Sequence, residues 1–146
     1  MGVALRYRRS GCRERRLSGT LILDSEGLTK VVGKDRDVLA QIDAARRGGM
    51  NTVVSAMTLV EARDPKVNQA RFDWAAALVT VLPVTEQVAR AASRLLASAR
   101  LHGHRHAIDA VVAATALTAS APRIVLTSDP DNLGKLCGPQ ARVVQV

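Results

Sequence analysis

The sequence predicts an α/β fold in which a central parallel sheet is covered by helices on both faces. Short apolar runs, such as Leu21-Ile22-Leu23, are typical of buried strands. Longer segments between these runs repeat apolar residues at helical spacing, as Val88, Ala92 and Leu95 do. Because strands that alternate with helices need crossover connections, the sheet is expected to be parallel.

The first half of the chain contains two of the expected strands. The first covers 21–23 and ends at Asp24, and the second covers 52–55. A short helix over 27–32 and a longer one over 37–47 are expected between them, and Gly48-Gly49 ends the longer helix. Helices over about 58–64 and 67–77 are expected to follow the second strand.

The second half of the chain continues this alternation. A β-branched run over 78–82 predicts a strand that Pro83 ends, and 85–99 has helical spacing. The histidine-rich segment HGHRH (102–106) is expected to be a turn before a buried, alanine-rich helix over 107–119. The last strands are expected over 124–127 and 142–146.

Composition limits the classes of protein to which the chain belongs. Hydrophobic residues make up 47% of 146 residues, but the only aromatic ones are Tyr7, Phe72 and Trp74, which argues against a protein that stacks bases on aromatic side chains. Cys12 and Cys137 lie near opposite ends, so we expect no disulfide and a reducing cytoplasm. No apolar run approaches the ~20 residues that span a bilayer, so a soluble protein is expected.

The positive charge is concentrated at the amino terminus. The net charge is +8, and residues 1–19 contain six arginines and one glutamate. We interpret 1–19 as a flexible basic arm and 20–146 as one domain. The arm is either a nucleic-acid-binding extension or a segment upstream of the true start, and the sequence does not distinguish the two.

Four acidic residues are expected at one edge of the sheet. Asp24 follows the first strand directly, Asp129 comes two residues after the strand over 124–127, and Glu61 lies on the helix that leaves the second strand. Asp109 lies among apolar residues near the start of the alanine-rich helix, where an unpaired carboxylate is costly. Open parallel sheets place their sites at the carboxyl ends of strands, and several carboxylates together suit Mg²⁺ or Mn²⁺.

Each acid also has a purely structural interpretation. Asp24 can form a turn, and Asp129 before Pro130 can be a helix N-cap. Glu61 completes a capping box that begins at Thr58. Asp109 can interact with the helix dipole from the first turn. These interpretations do not exclude a metal site, because a capping residue can also bind a cation.

Four motifs resemble, in order and spacing, those of PIN-domain nucleases, and in particular those of the small VapC-type toxins. They are LILDSEGL (21–28), SAMTLVEA (55–62), HAIDAVVAATA (106–116) and LTSDPDNL (126–133). The resemblance covers about 20–146. It implies a PIN-like three-layer α/β/α sandwich, Mg²⁺ or Mn²⁺ as cofactor, RNA as substrate, a homodimer and a cognate antitoxin that covers the acidic groove.

The resemblance also implies roles for individual residues. Its catalytic and metal-binding acids correspond to Asp24, Glu61, Asp109 and Asp129. Among the accessory positions, Asp131 is an additional acid, Ser128 is a polar neighbour, and Ser25 follows the first acid.

Cations outside the acidic centre are needed to bind RNA. Arg90 and Arg94 are four residues apart on one expected helix, and Arg105 lies in the histidine-rich turn, so these three are candidate RNA-binding residues. The alternative is an ordinary solvated surface. The histidines of the same turn suggest contact with phosphate rather than zinc, because a zinc site lacks a fourth ligand there.

The functional hypothesis is a Mg²⁺- or Mn²⁺-dependent endoribonuclease that acts as the toxin of a VapBC-type toxin–antitoxin module. Two alternatives remain: a PIN-fold binding module without significant nuclease activity, and a structure-specific DNA nuclease. A receiver domain of a signalling system is disfavoured, because Ser55 has no adjacent acid and TSDPDN (127–132) contains no lysine.

Overall fold

The computed structural model describes residues 19–146, so the proposed basic arm lies outside the described residues except for Gly19. The described part contains five strands, which are β1 (Thr20–Leu23), β2 (Asn51–Ser55), β3 (Thr80–Leu82), β4 (Arg123–Thr127) and β5 (Arg142–Gln145). None of its helices is both long enough and apolar enough to cross a membrane.

Seven α-helices connect these strands within 19–146. In the first half they are α1 (Ser25–Val32), α2 (Arg36–Arg47), α3 (Ala56–Glu61) and α4 (Gln69–Ala77). In the second half they are α5 (Glu86–Ala99), α6 (Gly103–Thr118) and α7 (Pro130–Cys137), and a short 3₁₀ helix covers Gly138–Gln140.

The sheet is parallel throughout, with the strand order β3-β2-β1-β4-β5. The chain builds β2 and β3 on one side of β1 and then returns to build β4 and β5 on the other side. The strand order therefore reverses between β1 and β4, and a crevice at the carboxyl ends of these two strands is the usual place for a site in such a sheet.

Both faces of the sheet are covered, as the sequence predicts. Along β1, Leu21 and Leu23 belong to one core cluster and Ile22 to the other, because successive side chains of a strand point to opposite faces. Helices α1, α2 and α4 contribute to the cluster with Leu21 and Leu23, while α5, α6 and α7 contribute to the cluster with Ile22. The predicted three-layer α/β/α arrangement is confirmed.

Helix α6 is nearly surrounded by protein, which explains its alanine content. Ala110, Ala113, Ala114 and Ala116 are all fully buried. Small side chains let a helix approach its neighbours closely, and α6 packs against α5, α7 and strands of the sheet. Asp109 is carried into the protein on this helix.

The sequence placed the start of helix α3 incorrectly. The helix begins at Ala56, not at 58, because Ser55 is its N-cap and accepts a hydrogen bond from the backbone N–H of Met57 at 3.1 Å. The capping box beginning at Thr58 is therefore wrong, since Thr58 lies inside the helix and is buried. Ser55 is still paired with Leu82 of β3, so the strand passes into the helix without a loop.

The histidine-rich segment is helical rather than a turn. Helix α6 begins at Gly103 with His102 as its N-cap, and a kink at His106 (φ −123°, ψ 16°) separates the segment from the rest of the helix. Asp109 lies three residues after this kink and therefore in the first turn of the second helical part, as the sequence predicts. Smaller shifts occur at α4, which begins at Gln69, and at β3, which begins at Thr80.

Gly27 is required where α1 packs on the sheet. A Cβ atom there would lie 3.2 Å from Leu23 Cβ and 3.5 Å from the carbonyl oxygen of Leu126. Leu23 is fully buried and cannot move aside easily. We therefore expect Gly27→Ala to lower the free energy of unfolding by about 1–3 kcal/mol, measured by urea denaturation, because overpacking costs that much.

Gly134→Ala is the matched control for this prediction. Gly134 lies inside α7, and a Cβ atom added there would meet no other atom within 4 Å. The substitution should raise the free energy of unfolding by up to about 1 kcal/mol, because alanine favours helix. Equal effects of the two substitutions would contradict the packing account of Gly27.

Candidate metal centre

Asp24 is held at the carboxyl end of the central strand. Its backbone N–H donates to the carbonyl oxygen of Leu126 in β4 at 3.1 Å, and its side chain caps α1 by accepting from the N–H of Gly27 at 2.9 Å. The residue is only 8% exposed. This hydrogen bond fixes the carboxylate beside the N-terminus of α1, where a negative charge is favoured.

Asp129 has an equivalent place after β4. It is the N-cap of α7, with Pro130 as the first helical residue, so the capping interpretation is confirmed. Its Oδ1 accepts from the N–H of Asn132 at 3.2 Å, and its Oδ2 accepts from Asn132 Nδ2 at 2.7 Å. The Thr127 hydroxyl accepts from the N–H of Asp129 at 2.9 Å. Asn132 thus orients this acid, a role that no sequence pattern indicates.

Asp109 reaches the other acids from the interior helix α6. Burial raises the pKa of its carboxyl most strongly, and the charges of Asp129 and Asp24 raise it further. His106, whose Nδ1 lies 3.8 Å from Asp109 Oδ2, opposes this rise in pKa. The electrostatic effects of Asp24 and Asp129 show that both carboxylates lie near Asp109.

Glu61 lies at the last position of α3 and is exposed. Partial desolvation raises the pKa of its carboxyl, and the charges of Asp109 and Asp24 add to the rise. Hydrogen bonding by the Ser25 side chain acts in the opposite direction and lowers it. Asp24, Glu61 and Asp129 therefore all lie close enough to Asp109 to interact with it electrostatically, and we call these four residues the acidic cluster.

Ser128 and Asp131 lie at the margin of this cluster. Both are exposed, and neither makes a hydrogen bond or ion pair to the four acids in the described part of the chain. Asp131 lies in the first turn of α7. Their accessory roles remain predictions.

Within the described residues, no lysine or arginine forms an ion pair with the four acids. The ion pairs within 19–146 join Arg47 to Asp43, Arg90 to Glu86 and His106 to Asp109. Carboxylates that repel one another in a partly buried site suit a hard divalent cation as the counter-charge.

The donor atoms offered by the four acids are carboxylate oxygens, which suit Mg²⁺ or Mn²⁺, whereas zinc sites use mainly cysteine and histidine. Among the described residues, no three histidine, cysteine, aspartate or glutamate side chains are placed to hold a metal ion as they stand. Mg²⁺ keeps several water molecules and takes one or two carboxylates, for which Asp24 and Asp109 are the candidates.

The candidate RNA-binding arginines lie outside the cluster. Arg90 Nε pairs with Glu86 Oε2 at 3.1 Å, so part of its charge is neutralised. Arg94 on α5 and Arg105 in the first turn of α6 are exposed and form no ion pair within the described part of the chain. Arg94 and Arg105 are therefore the freer cations of the three.

The pKa shifts predict how stability depends on pH. A carboxyl whose pKa is raised by folding holds its proton more tightly in the folded protein, so its contribution to stability is lost as pH rises. Without divalent cations, the free energy of unfolding should fall as pH increases from about 4, the unfolded value for Asp and Glu. Asp109→Asn should reduce this loss, measured by urea denaturation in EDTA.

The control for this experiment is Asp37→Asn, which removes an exposed carboxylate from the first turn of α2. It should leave the pH profile above 4 unchanged. A wild-type profile that rises between pH 4 and 7, or an Asp109→Asn profile identical to wild type, would contradict the repulsive cluster.

Comparison with known proteins supports the fold. No family model matches the sequence, and no curated protein matches it. The chain is similar to a chain in the crystal structure of VapBC2 from Rickettsia felis bound to a DNA fragment from their promoter, with a TM-score of 0.63 and 12% sequence identity. The match covers 86% of this chain and 98% of that chain. The chain therefore has the PIN-like α/β/α fold that its motifs predict.

Proposed function

We propose that the chain is the toxin of a VapBC-type toxin–antitoxin module and acts as a Mg²⁺- or Mn²⁺-dependent endoribonuclease. The observation that supports this most strongly is that Asp24, Glu61 and Asp129 all interact electrostatically with Asp109 near the point where the strand order reverses. The fold shared with VapBC2 is independent support. Phosphodiester hydrolysis is a typical reaction of carboxylate sites that bind divalent cations.

The proposed roles of the acids follow from how each is held. Asp24 and Asp109 are the proposed direct ligands, because Asp24 is buried, and Asp109 is half-buried and interacts electrostatically with each of the other three acids. Glu61 and Asp129 either bind the cation directly or orient water molecules bound to it. The two hydrogen bonds from Asn132 hold the Asp129 carboxylate more firmly than that of Glu61. A bound cation would polarise the scissile phosphate and lower the pKa of the attacking water.

The proposed partners are RNA, a second copy of the chain and an antitoxin protein, all in the cytoplasm. The similar Rickettsia felis structure is of VapBC2 bound to a fragment of promoter DNA. A groove between α1 and α4, lined by Val32, Val67 and Phe72 among others, offers an apolar surface for the antitoxin. Trp74, which is 39% exposed, lies on the same helix α4.

Removing one metal-binding carboxylate should abolish most of the activity. Asp24→Asn keeps a residue that caps helices equally well, so the change removes charge with little effect on α1. We expect Asp24→Asn and Asp109→Asn to slow RNA cleavage by at least the ~10–100-fold that loss of a supporting partner costs a metal site. Cleavage of labelled RNA in Mg²⁺, Mn²⁺ and EDTA measures this.

The same assay distinguishes the alternatives. Cleavage of structured DNA but not RNA would identify a DNA nuclease, and RNA binding without cleavage in either metal would identify a binding module. If both variants cleave RNA as fast as wild type, the metal-dependent mechanism is wrong.

Arg94 tests the proposed RNA-binding surface. Arg94→Glu should weaken RNA affinity and reduce the slope of log affinity against log salt by about 1, because fewer counterions are released on binding. Fluorescence anisotropy at several salt concentrations measures both, with EDTA present to prevent cleavage. Glu86→Gln, which frees Arg90 from its ion pair, should change affinity in the opposite direction. Unchanged affinity and slope in Arg94→Glu would remove this residue from the surface.

A further inference from the structure

Thr58 carries an unusual buried hydroxyl. The residue is fully buried, and its Oγ1 is the buried side-chain polar atom within 19–146 that lacks a hydrogen-bond partner. Burying a hydroxyl without a partner is destabilising, and such groups are rare in folded proteins. Valine has nearly the same shape and would avoid the penalty, so the hydroxyl needs another explanation.

The position of Thr58 explains why its own helix does not satisfy the hydroxyl. A threonine inside a helix commonly donates to the carbonyl oxygen four residues earlier, as Thr115 does to Val111 at 2.8 Å. Thr58 is the third residue of α3, so the residue four positions earlier, Val54, belongs to β2. Ser55 already caps the helix.

Thr58 lies on the same short helix as Glu61 and is buried against the rest of the protein. Glu61 follows three residues later, and residues at this spacing share a helix face. Helix α3 packs against α1 and α6, which carry Ser25 and Asp109. Thr58 is fully buried and Glu61 is exposed, so the two residues lie at the inner and outer parts of this face.

We propose that Thr58 is a positioning residue for Glu61. Its hydroxyl binds a buried water molecule that also binds the Glu61 carboxylate and so fixes that carboxylate for cation binding. A buried water normally has two to four polar partners, which Thr58 and Glu61 begin to supply. Thr58 itself contacts neither cation nor RNA. This inference rests on the proposed metal-dependent function.

The test measures Mn²⁺ affinity by calorimetry on the full chain, together with thermal unfolding in EDTA. Thr58→Val should weaken Mn²⁺ binding by about tenfold, as loss of a supporting partner does in metal sites, without lowering the melting temperature in EDTA. Thr58→Ser, which keeps the hydroxyl, should bind Mn²⁺ within about twofold of wild type. Thr115→Val, the matched buried threonine of α6, should not change Mn²⁺ affinity.

The outcomes separate this inference from the proposed function. If wild type binds Mn²⁺ and Thr58→Val binds it equally well, the role of Thr58 is wrong and the metal site stands. If wild type shows no Mn²⁺ binding, both are wrong. If Thr58→Val does not fold, Thr58→Ala replaces it. The inference would also be wrong if Thr58→Ser or Thr115→Val weakened Mn²⁺ binding as much as Thr58→Val does. The loss of affinity would then come from disturbed packing and not from loss of the Thr58 hydroxyl.

Discussion

The parallel pairing of β1 with β4 is the constraint on which the candidate site depends. The register places Leu23 opposite Leu126, so both strands end at the same level. The next residue after β1 is Asp24, and Asp129 follows two residues after β4. Each of these acids then caps the helix that leaves its strand, so the strand ends and the helix caps together fix the positions of both carboxylates.

The acids of the cluster differ in what holds them, and this difference has chemical consequences. Asp24 and Asp129 accept backbone hydrogen bonds, so their charge is partly compensated by helix N-termini. Glu61 is the last residue of α3, and Asp109 lies inside α6. Desolvation and neighbouring charges raise the pKa of both carboxyls. The cluster therefore lowers stability at neutral pH unless a cation neutralises it. Functional sites commonly carry such costs.

Much of the fold could be predicted from the sequence, because hydrophobic periodicity reports burial directly. Strand β1, the end of α2 at Gly48 and the cap at Asp129 follow from local signals that the structure does not override. The four acids could be selected because three of them lie near strand ends, where topology rather than local sequence brings them together.

The errors and omissions have equally specific causes. Ser55 and Thr58 are both suitable N-caps three residues apart, and only the pairing of Ser55 with β3 decides between them. The helical conformation of the histidine-rich segment depends on a kink at His106 that periodicity does not reveal. Asn132 and the unpaired hydroxyl of Thr58 depend on side-chain contacts in three dimensions. Sequence patterns locate elements well, but they do not show which polar atom lacks a partner.

If these distant carboxylates form one cation-binding pocket, crystals grown with Mn²⁺ should contain the ion there, and anomalous diffraction at the manganese edge locates it. We expect an anomalous peak in contact with the carboxylates of Asp24 and Asp109 that disappears in Asp109→Asn crystals. A fully occupied peak elsewhere, with none between these two side chains, would show that the pocket does not exist.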